Sequence, residues 1–536
     1  MVQPNFVLFI TDQHRADWLG CYGHPVVRTP NIDGLAANGM SFDRFYVASP
    51  VCMPNRSSLM TGRMPSVHGV RANGTPLSRD AVTFVDLLRE AGYATALVGK
   101  SHLQPFSGLP AMIRQPELKP GYRQAGGDLA EAVRHELRQP DHEQESPGHW
   151  AKPDARLSSP YYGFDHVELV TGHGDGVGGD YREWLLAREP NAMKMIGAEH
   201  QIPHSYSCPQ AIRTRLPAEL YQTSYIAERA CAFIRAHEEK SSDQPFFLMV
   251  SFPDPHHPFN PPGKYWDMYK PEQFPVPEAF RRDGWVPPPH VAAVIAEREQ
   301  GKANLNGYFS FTTTPQEAQE AAALTAGMVT LVDDAIGDVL ATLRETGVAD
   351  DTVRIFTSDH GEHLGDHRLL LKGSEQYVQL LRVPFIWSDT AERADQAKVT
   401  GRTGAIGSTI DISSTVLDRA GITPYAGIQG QSLLPVVAGD DSKGRAAAFV
   451  QYEHQRPNEA IGGVPRIHTL VDSHWRLSLF DGVEWGELYD IAADPGEFHN
   501  LWDDAEHREV KARLFEQLLR MEIAHVDRVP LPIARA

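Results

Sequence analysis

Four short apolar runs in this chain each stop abruptly at a cluster of polar residues, and that pattern leaves few folds open. Phe6-Val7-Leu8-Phe9-Ile10 gives way to Thr11-Asp12-Gln13-His14-Arg15. Ala94 to Val98 leads into Gly99-Lys100-Ser101-His102, Phe246 to Phe252 into Asp254-Pro255-His256-His257-Pro258, and Val353 to Ser358 into Asp359-His360-Gly361. An apolar run without polar alternation suits a strand buried on both faces, as in a mostly parallel sheet covered by helices. Helical patterns stand between the runs: Thr83 to Ala91 closed by Gly92, a face of Ile226, Ala230, Phe233 and Ile234, and Met328 to Leu343 ahead of Gly347. Open α/β sheets build their sites at the C-terminal ends of the strands, so the four clusters are expected to form one site.

Two stretches depart from this texture. Residues 105–215 are rich in Pro, Gly, His and charge, and read as an excursion over the site mouth that forms part of the specificity surface. From about residue 441, short alternating segments (Ala448 to Tyr452, Ile467 to Val471, Trp475 to Phe480, Glu487 to Ile491) predict a small antiparallel sheet, and Leu514, Leu518 and Met521 a final helix. A chain of 536 residues is too long for one core. The expected division is a catalytic α/β domain over 1–440 and a smaller C-terminal α+β domain over 441–536. The tail Val529-Pro530-Leu531-Pro532-Ile533 suits neither helix nor strand and is expected to lie on a partner subunit, in a dimer or tetramer.

A formal charge of −19 argues against a nucleic-acid binder, which needs clustered Lys and Arg, while leaving room for an anionic substrate inside a locally positive pocket. No window approaches a membrane span, and the opening MVQPNFVLFITDQ has no leader pattern. Cys21, Cys52, Cys208 and Cys231 form neither a disulfide framework nor zinc spacing. A cytoplasmic location follows as the expectation, with Cys21, Cys208 and Cys231 as buried or half-buried free thiols.

The candidate metal ligands are Asp12 with Gln13 and Asp359 with His360, at the ends of two different strands. Two carboxylates would neutralise one divalent cation, and the amide and imidazole would complete the shell, which suits Ca²⁺ or Mn²⁺. Each pair read singly could equally cap a strand. In Val51-Cys52-Met53-Pro54-Asn55-Arg56, Pro54 is placed to open a helix, which puts Cys52 just before its N-terminus. There the helix dipole and Arg56 would favour a thiolate.

Cys52-Met53-Pro54-Asn55-Arg56 followed by Thr61-Gly62 resembles the C-x-P-x-R signature of the sulfatase family, whose cysteine is oxidised to formylglycine. Gly92-Tyr93-Ala94-Thr95 with Gly99-Lys100-Ser101-His102 is similar to the family's second signature. The likeness continues through Asp12, Pro255-His256-x-Pro258, Asp359-His360-Gly361-Glu362, Lys372-Gly373 and Asp494-Pro495-x-Glu497. The resemblance implies an alkaline-phosphatase-like sheet, one divalent metal, and a formylglycine-generating enzyme as partner. It also implies a small anionic ester as substrate: a sulfate monoester, or a phosphonate monoester or phosphodiester. The implied catalytic set is residue 52 as nucleophile, Arg56, Lys100, His102, His256 and Lys372, with Asp359 able to accept the nucleophile's proton and residue 52 joining Asp12, Gln13, Asp359 and His360 as a metal ligand. Lys100, His256 and Lys372 would hold the substrate. Asn73, in a Gly-flanked loop, is a substrate-binding candidate and equally a turn residue. Gln13 and His360 resemble the phosphonate monoester hydrolase branch, whereas Lys100 and His102 look sulfatase-like. A non-catalytic binding protein that keeps Cys52 unconverted is opposed by the completeness of this set.

Overall fold

The structure, a computed structural model, describes residues 3–113, 120–123, 140–240, 243–389, 400–529, 531 and 534. Part of the 105–215 excursion, and Pro530, Pro532 and Ile533 of the tail, lie outside the described residues.

Nine strands form the main sheet: β1 (Asn5–Thr11), β2 (Met40–Tyr46), β3 (Ala94–Gly99), β4 (His166–Thr171), β5 (Gly178–Gly179), β6 (Phe246–Ser251), β8 (Thr352–Ser358), β10 (Phe385–Asp389) and β11 (Gly401–Ser408). A separate two-stranded ribbon pairs β7 (Phe311–Thr312) with β9 (Leu369–Leu370). The sheet order is β11-β2-β10-β8-β1-β6-β3-β4-β5, and only β5 and β10 run against the rest. It is the mixed, mostly parallel α/β sheet that the apolar runs call for.

The double burial is literal. Val7 and Phe9 of β1 enter one core and Phe6, Leu8 and Ile10 the other, as the period of two along a strand requires. Helices Gln222–Glu239 and Pro315–Glu345 cover the first face through Ile226, Ala230, Val332, Ile336 and Val339. Helices Phe84–Glu90 and Asp411–Ala420 cover the second through Phe84, Val85, Leu88, Ile412, Val416 and Leu417. Thr83 starts the former with a capping box to Asp86, which satisfies two N–H groups at the helix start.

A four-stranded antiparallel sheet follows: β12 (Ala448–Glu453), β13 (Arg466–Val471), β14 (Trp475–Phe480) and β15 (Gly486–Asp490). Helix Arg508–Ala524 packs on it through Leu514 and Leu518 against Phe449, Leu470, Leu477 and Leu488. The excursion is not only a cover. Its residues 166–179 add β4 and β5 to the edge of the main sheet. β4 is short and its first half stays partly exposed, so no apolar run announces it. Among the described residues no helix is long and apolar enough to cross a membrane. Cys21 is half-buried and Cys208 and Cys231 are buried, all as free thiols.

Candidate active site

The ends of β1 and β8 are adjacent strand ends, stitched by the Asp359 N–H to the Thr11 carbonyl at 3.0 Å. Gln13 turns through a left-handed φ of 63°, which aims its N–H at Asp359 Oδ1, 3.1 Å away. Helix Cys52–Thr61, buried along its whole length, brings Cys52 to the same point. Cys52 is the helix's first residue rather than the one before it. Pro54 sits third, where its missing N–H removes no helix bond.

Cys52 Sγ lies 3.1 Å from His360 Nε2 and 3.7 Å from Asp12 Oδ1, and His360 Nε2 is 3.4 Å from Asp12 Oδ1 and 3.6 Å from Asp359 Oδ1. All four residues are buried, and their donor atoms lie within 4.8 Å of one another. His360 Nδ1 is 2.9 Å from the Gly361 carbonyl, which can only accept, so Nδ1 carries the proton and Nε2 presents a lone pair to the cluster. Burial first, then the Lys372 charge, lowers the His360 pKa to about 4, keeping the ring neutral. Two buried carboxylates and a neutral imidazole with a free lone pair make a donor set that fits one divalent cation.

Beside this cluster stands a row of amines and imidazoles. Lys100, at the end of β3, contacts Asp12 Oδ2 with its ammonium and reaches His173 Nε2 at 2.7 Å. Lys372 donates to Gln13 Oε1 at 2.7 Å and lies 2.8 Å from His256 Nε2. His256 Nδ1 meets the His257 carbonyl at 2.5 Å, so its Nε2 also faces its lysine as an acceptor. His102 holds a left-handed φ of 58° and stacks on Phe106, ring centroids 3.9 Å apart. Burial first, then neighbouring cations, drives its pKa well below the ordinary histidine range.

Several expectations need correction. Arg56 does not support a thiolate: its Nε is bound to Asp359 Oδ2 at 2.7 Å, and Nη1 to the Lys100 carbonyl at 3.1 Å and Ser251 Oγ at 2.9 Å. Burial first, then the Asp12 carboxylate, pushes the Cys52 thiol up to about 11, so the unmodified side chain is a neutral thiol. Gln13 has its amide oxygen on Lys372, and its nitrogen on Glu362 and His257, rather than toward Cys52. Asn73 lies in a turn beside the nucleophile, and its Oδ1 accepts the Met53 N–H at 3.0 Å, which caps the helix that begins at Cys52. Arg56, Lys100, His102, His256, Lys372, Asp12, Asp359 and His360 are brought to one pocket with Cys52.

Two residues escaped the sequence reading. Glu145, fully buried, accepts the N–H groups of His102, Leu103 and Gln104 at 2.8, 3.0 and 3.1 Å. His173 touches both members of the Lys100–Asp12 pair. Both come from the excursion, where no motif marks them.

A family model described as Sulfatase matches residues 4–422, and one described as N-sulphoglucosamine sulphohydrolase, C-terminal, matches residues 365–524. The multifunctional alkaline phosphatase superfamily protein PehA of Trinickia caryophylli is 27% identical, over 98% of this chain and 97% of that protein. An arylsulfatase of Clostridium perfringens is 26% identical, over 95% of this chain and 92% of that protein. The crystal structure of a phosphonate monoester hydrolase from Agrobacterium radiobacter superimposes with a TM-score of 0.75 at 25% identity, over 98% of this chain and 97% of that one.

Proposed function

The chain belongs to the sulfatase family, and on that premise we propose that this hydrolase cleaves sulfate monoesters, arylsulfatase-like, with a nucleophile made from Cys52. What carries the reading is the pairing of a metal-type cluster around Cys52 with two buried ammonium groups, Lys100 and Lys372, in one pocket. A formylglycine made at Cys52 by a formylglycine-generating enzyme would supply, as its hydrate, an oxygen nucleophile and a second hydroxyl for release of the inorganic anion. Asp12, Asp359 and His360 would hold one Ca²⁺ or Mn²⁺ ion, which Gln13 would join only by giving up its bonds to Lys372, Glu362 and His257, and the ion would supply the positive charge that acidifies the nucleophile and draws the ester's oxygens.

The side chains divide the remaining work. Asp359, held by Arg56, takes the nucleophile's proton. Lys100 and Lys372 hold the anionic oxygens where charge accumulates. His256 and Lys372, 2.8 Å apart, share one proton between them and deliver it to the departing alkoxide. His102, whose Nδ1 has no hydrogen-bond partner among the described residues, takes the proton of the second hydroxyl.

A second reading, hydrolysis of phosphonate monoesters or phosphodiesters by the same nucleophile, is favoured by Gln13 and His360 and by the likeness to a phosphonate monoester hydrolase. Both substrate types are monoanions. They differ in that a sulfate ester offers three oxygens to the pocket, whereas a phosphonate monoester offers two and an organic substituent. Lys100 and His102, which look sulfatase-like, weight the balance toward sulfate.

The test is kcat/KM for one aryl group carried as sulfate and as phosphonate, on protein whose position-52 aldehyde is verified by mass spectrometry. A sulfate preference is expected. A phosphonate preference moves the chain to the second reading, and turnover of neither overturns both for aryl esters.

A further inference from the structure

His173 lies on the loop that follows β4, between two glycines of positive φ, Gly172 at 89° and Gly174 at 65°. A Cβ on Gly174 would come within 2.7 Å of Pro258 Cγ, so the glycine lets this loop lie directly on the segment that carries His256. The imidazole that results is in contact with two catalytic groups at once. Its Nε2 is 2.7 Å from Lys100 Nζ and 3.3 Å from Asp12 Oδ2. Its face lies flat on His256, centroids 3.5 Å apart and planes 6° from parallel, with the edge of Phe106 at 5.3 Å.

The hydrogen-bond roles follow from the donor inventory. An ammonium against a carboxylate has only donors, so the His173 Nε2 is the acceptor and Nδ1 holds the ring proton. Lys372 and His256 repeat the arrangement, so each of two stacked imidazoles accepts a hydrogen bond from one lysine. The donor atoms of Asp12, His173 and His256 lie within 4.8 Å of one another, which could suggest a second metal. The stack argues otherwise. Ring lone pairs lie in the ring planes, and two nearly parallel planes do not converge on one ion. The Lys100 ammonium stands there as the cation.

We propose that His173 is a positioning residue for two catalytic groups, an acceptor that holds the Lys100 ammonium toward the ester oxygens and a flat face that fixes the plane of His256 at the leaving group. The inference rests on the hydrolase reading given above. It separates into two functions that different substitutions remove. His173→Phe keeps a ring for His256 and loses the acceptor. His173→Gln keeps an acceptor and loses the ring, and His173→Ala loses both.

The readout is kcat/KM over a series of aryl esters of rising leaving-group pKa, in whichever ester class the wild type prefers. Misplacing Lys100 weakens the hold on every ester alike, so His173→Phe should lose about 10- to 100-fold by one constant factor. Tilting His256 harms protonation of the leaving group, so the loss in His173→Gln should be small for acidic phenols and grow as they become more basic. His173→Ala should show both. No loss in any variant, or one constant factor in all three, overturns the proposal, because damage to folding alone cannot depend on the leaving group. A second readout is independent of turnover: in ¹⁵N-histidine-labelled full-length protein, Lys100→Met should move the His173 Nε2 resonance, identified by its absence in His173→Gln. An unmoved line overturns the lysine–imidazole pairing. A wild type that cleaves neither ester class counts against the function proposed above, and the ¹⁵N measurement then decides the pairing by itself.

Discussion

Arg56 and Asp359 are 1% and 0% exposed, joined at 2.7 Å, and neither could be left alone in that surrounding. A buried ion pair gives little net stability relative to an apolar pair of the same shape, but losing one partner leaves an uncompensated charge. Arg56→Met is therefore expected to cost about 3–5 kcal/mol of unfolding free energy. Arg56→Met with Asp359→Asn should lose less than the single change, because no buried carboxylate is then stranded. Urea unfolding followed by tryptophan fluorescence decides it: a double variant no more stable than Arg56→Met would show that the carboxylate is not the source of the loss. The same pairing explains why the sequence put Arg56 near Cys52 and misjudged its target. A motif records that the residue is near Cys52, while the choice between a thiol and a carboxylate is made by the low-dielectric surroundings, which no local spacing encodes.

At the scale of elements, the site is a set of strand ends locked by loops from elsewhere. The loop after β3 carries Lys100 and His102, and its backbone polar groups are held by Glu145, more than forty residues on. Tyr161 donates to the same carboxylate at 2.8 Å. The loop after β9 carries Lys372, whose carbonyl accepts the Ser310 N–H at 2.9 Å, and Glu497 of the C-terminal region accepts the Val378 N–H at 2.7 Å. Glu145→Ala removes three backbone anchors from the His102 loop and is expected to lower kcat/KM about 10- to 100-fold. Glu145→Gln keeps an acceptor and should retain more activity than Ala. A Gln variant as impaired as Ala would mean that the charge, rather than the acceptor, orders the loop. The strands and the helices between them were legible because burial on both faces leaves an unbroken apolar run and burial on one leaves a helical stripe. Glu145 and His173 were not, because each acts through a contact remote in sequence, from a stretch whose composition obeys no period. β4 was missed for the related reason that a half-exposed strand of six residues, next to the edge of the sheet, looks like loop.

At the scale of the whole molecule, several histidines are held neutral: His14 and His68 are buried and His454 is half-buried. Burial, the largest cause in each case, lowers His14 from 6.5 to about 4, His68 from 6.5 to about 3 and His454 from 6.5 to about 4. His68 is held in that state by Ser58 Oγ at 2.9 Å and by the Val70 N–H at 3.1 Å, a donor that requires an unprotonated Nδ1. Below about pH 6.5 the unfolded chain takes up these protons and the folded chain does not, so stability falls as pH drops from 6.5 and continues to fall down to the folded values near 3 to 4. His68→Gln removes one such proton, so its Tm should fall less steeply between pH 7 and 5 than that of the wild type, and parallel curves would refute the assignment. The other prediction at this scale concerns self-association. Helix Arg508–Ala524 turns Leu514 and Leu518 inward, yet Leu519 and Ile523, one turn apart, are 60% and 65% exposed, and Val526 and Leu531 beyond it 64% and 68%. An exposed apolar line of this kind at the C-terminal end of the chain is what a second copy would cover, as expected for a dimer or tetramer. Light scattering of the full chain should then give a multiple of the 59.5 kDa protomer mass. Leu519→Lys with Ile523→Lys, or removal of the residues after Val529, should reduce it without changing the far-UV spectrum. A full chain that runs as a monomer at every concentration would remove the case for a partner subunit.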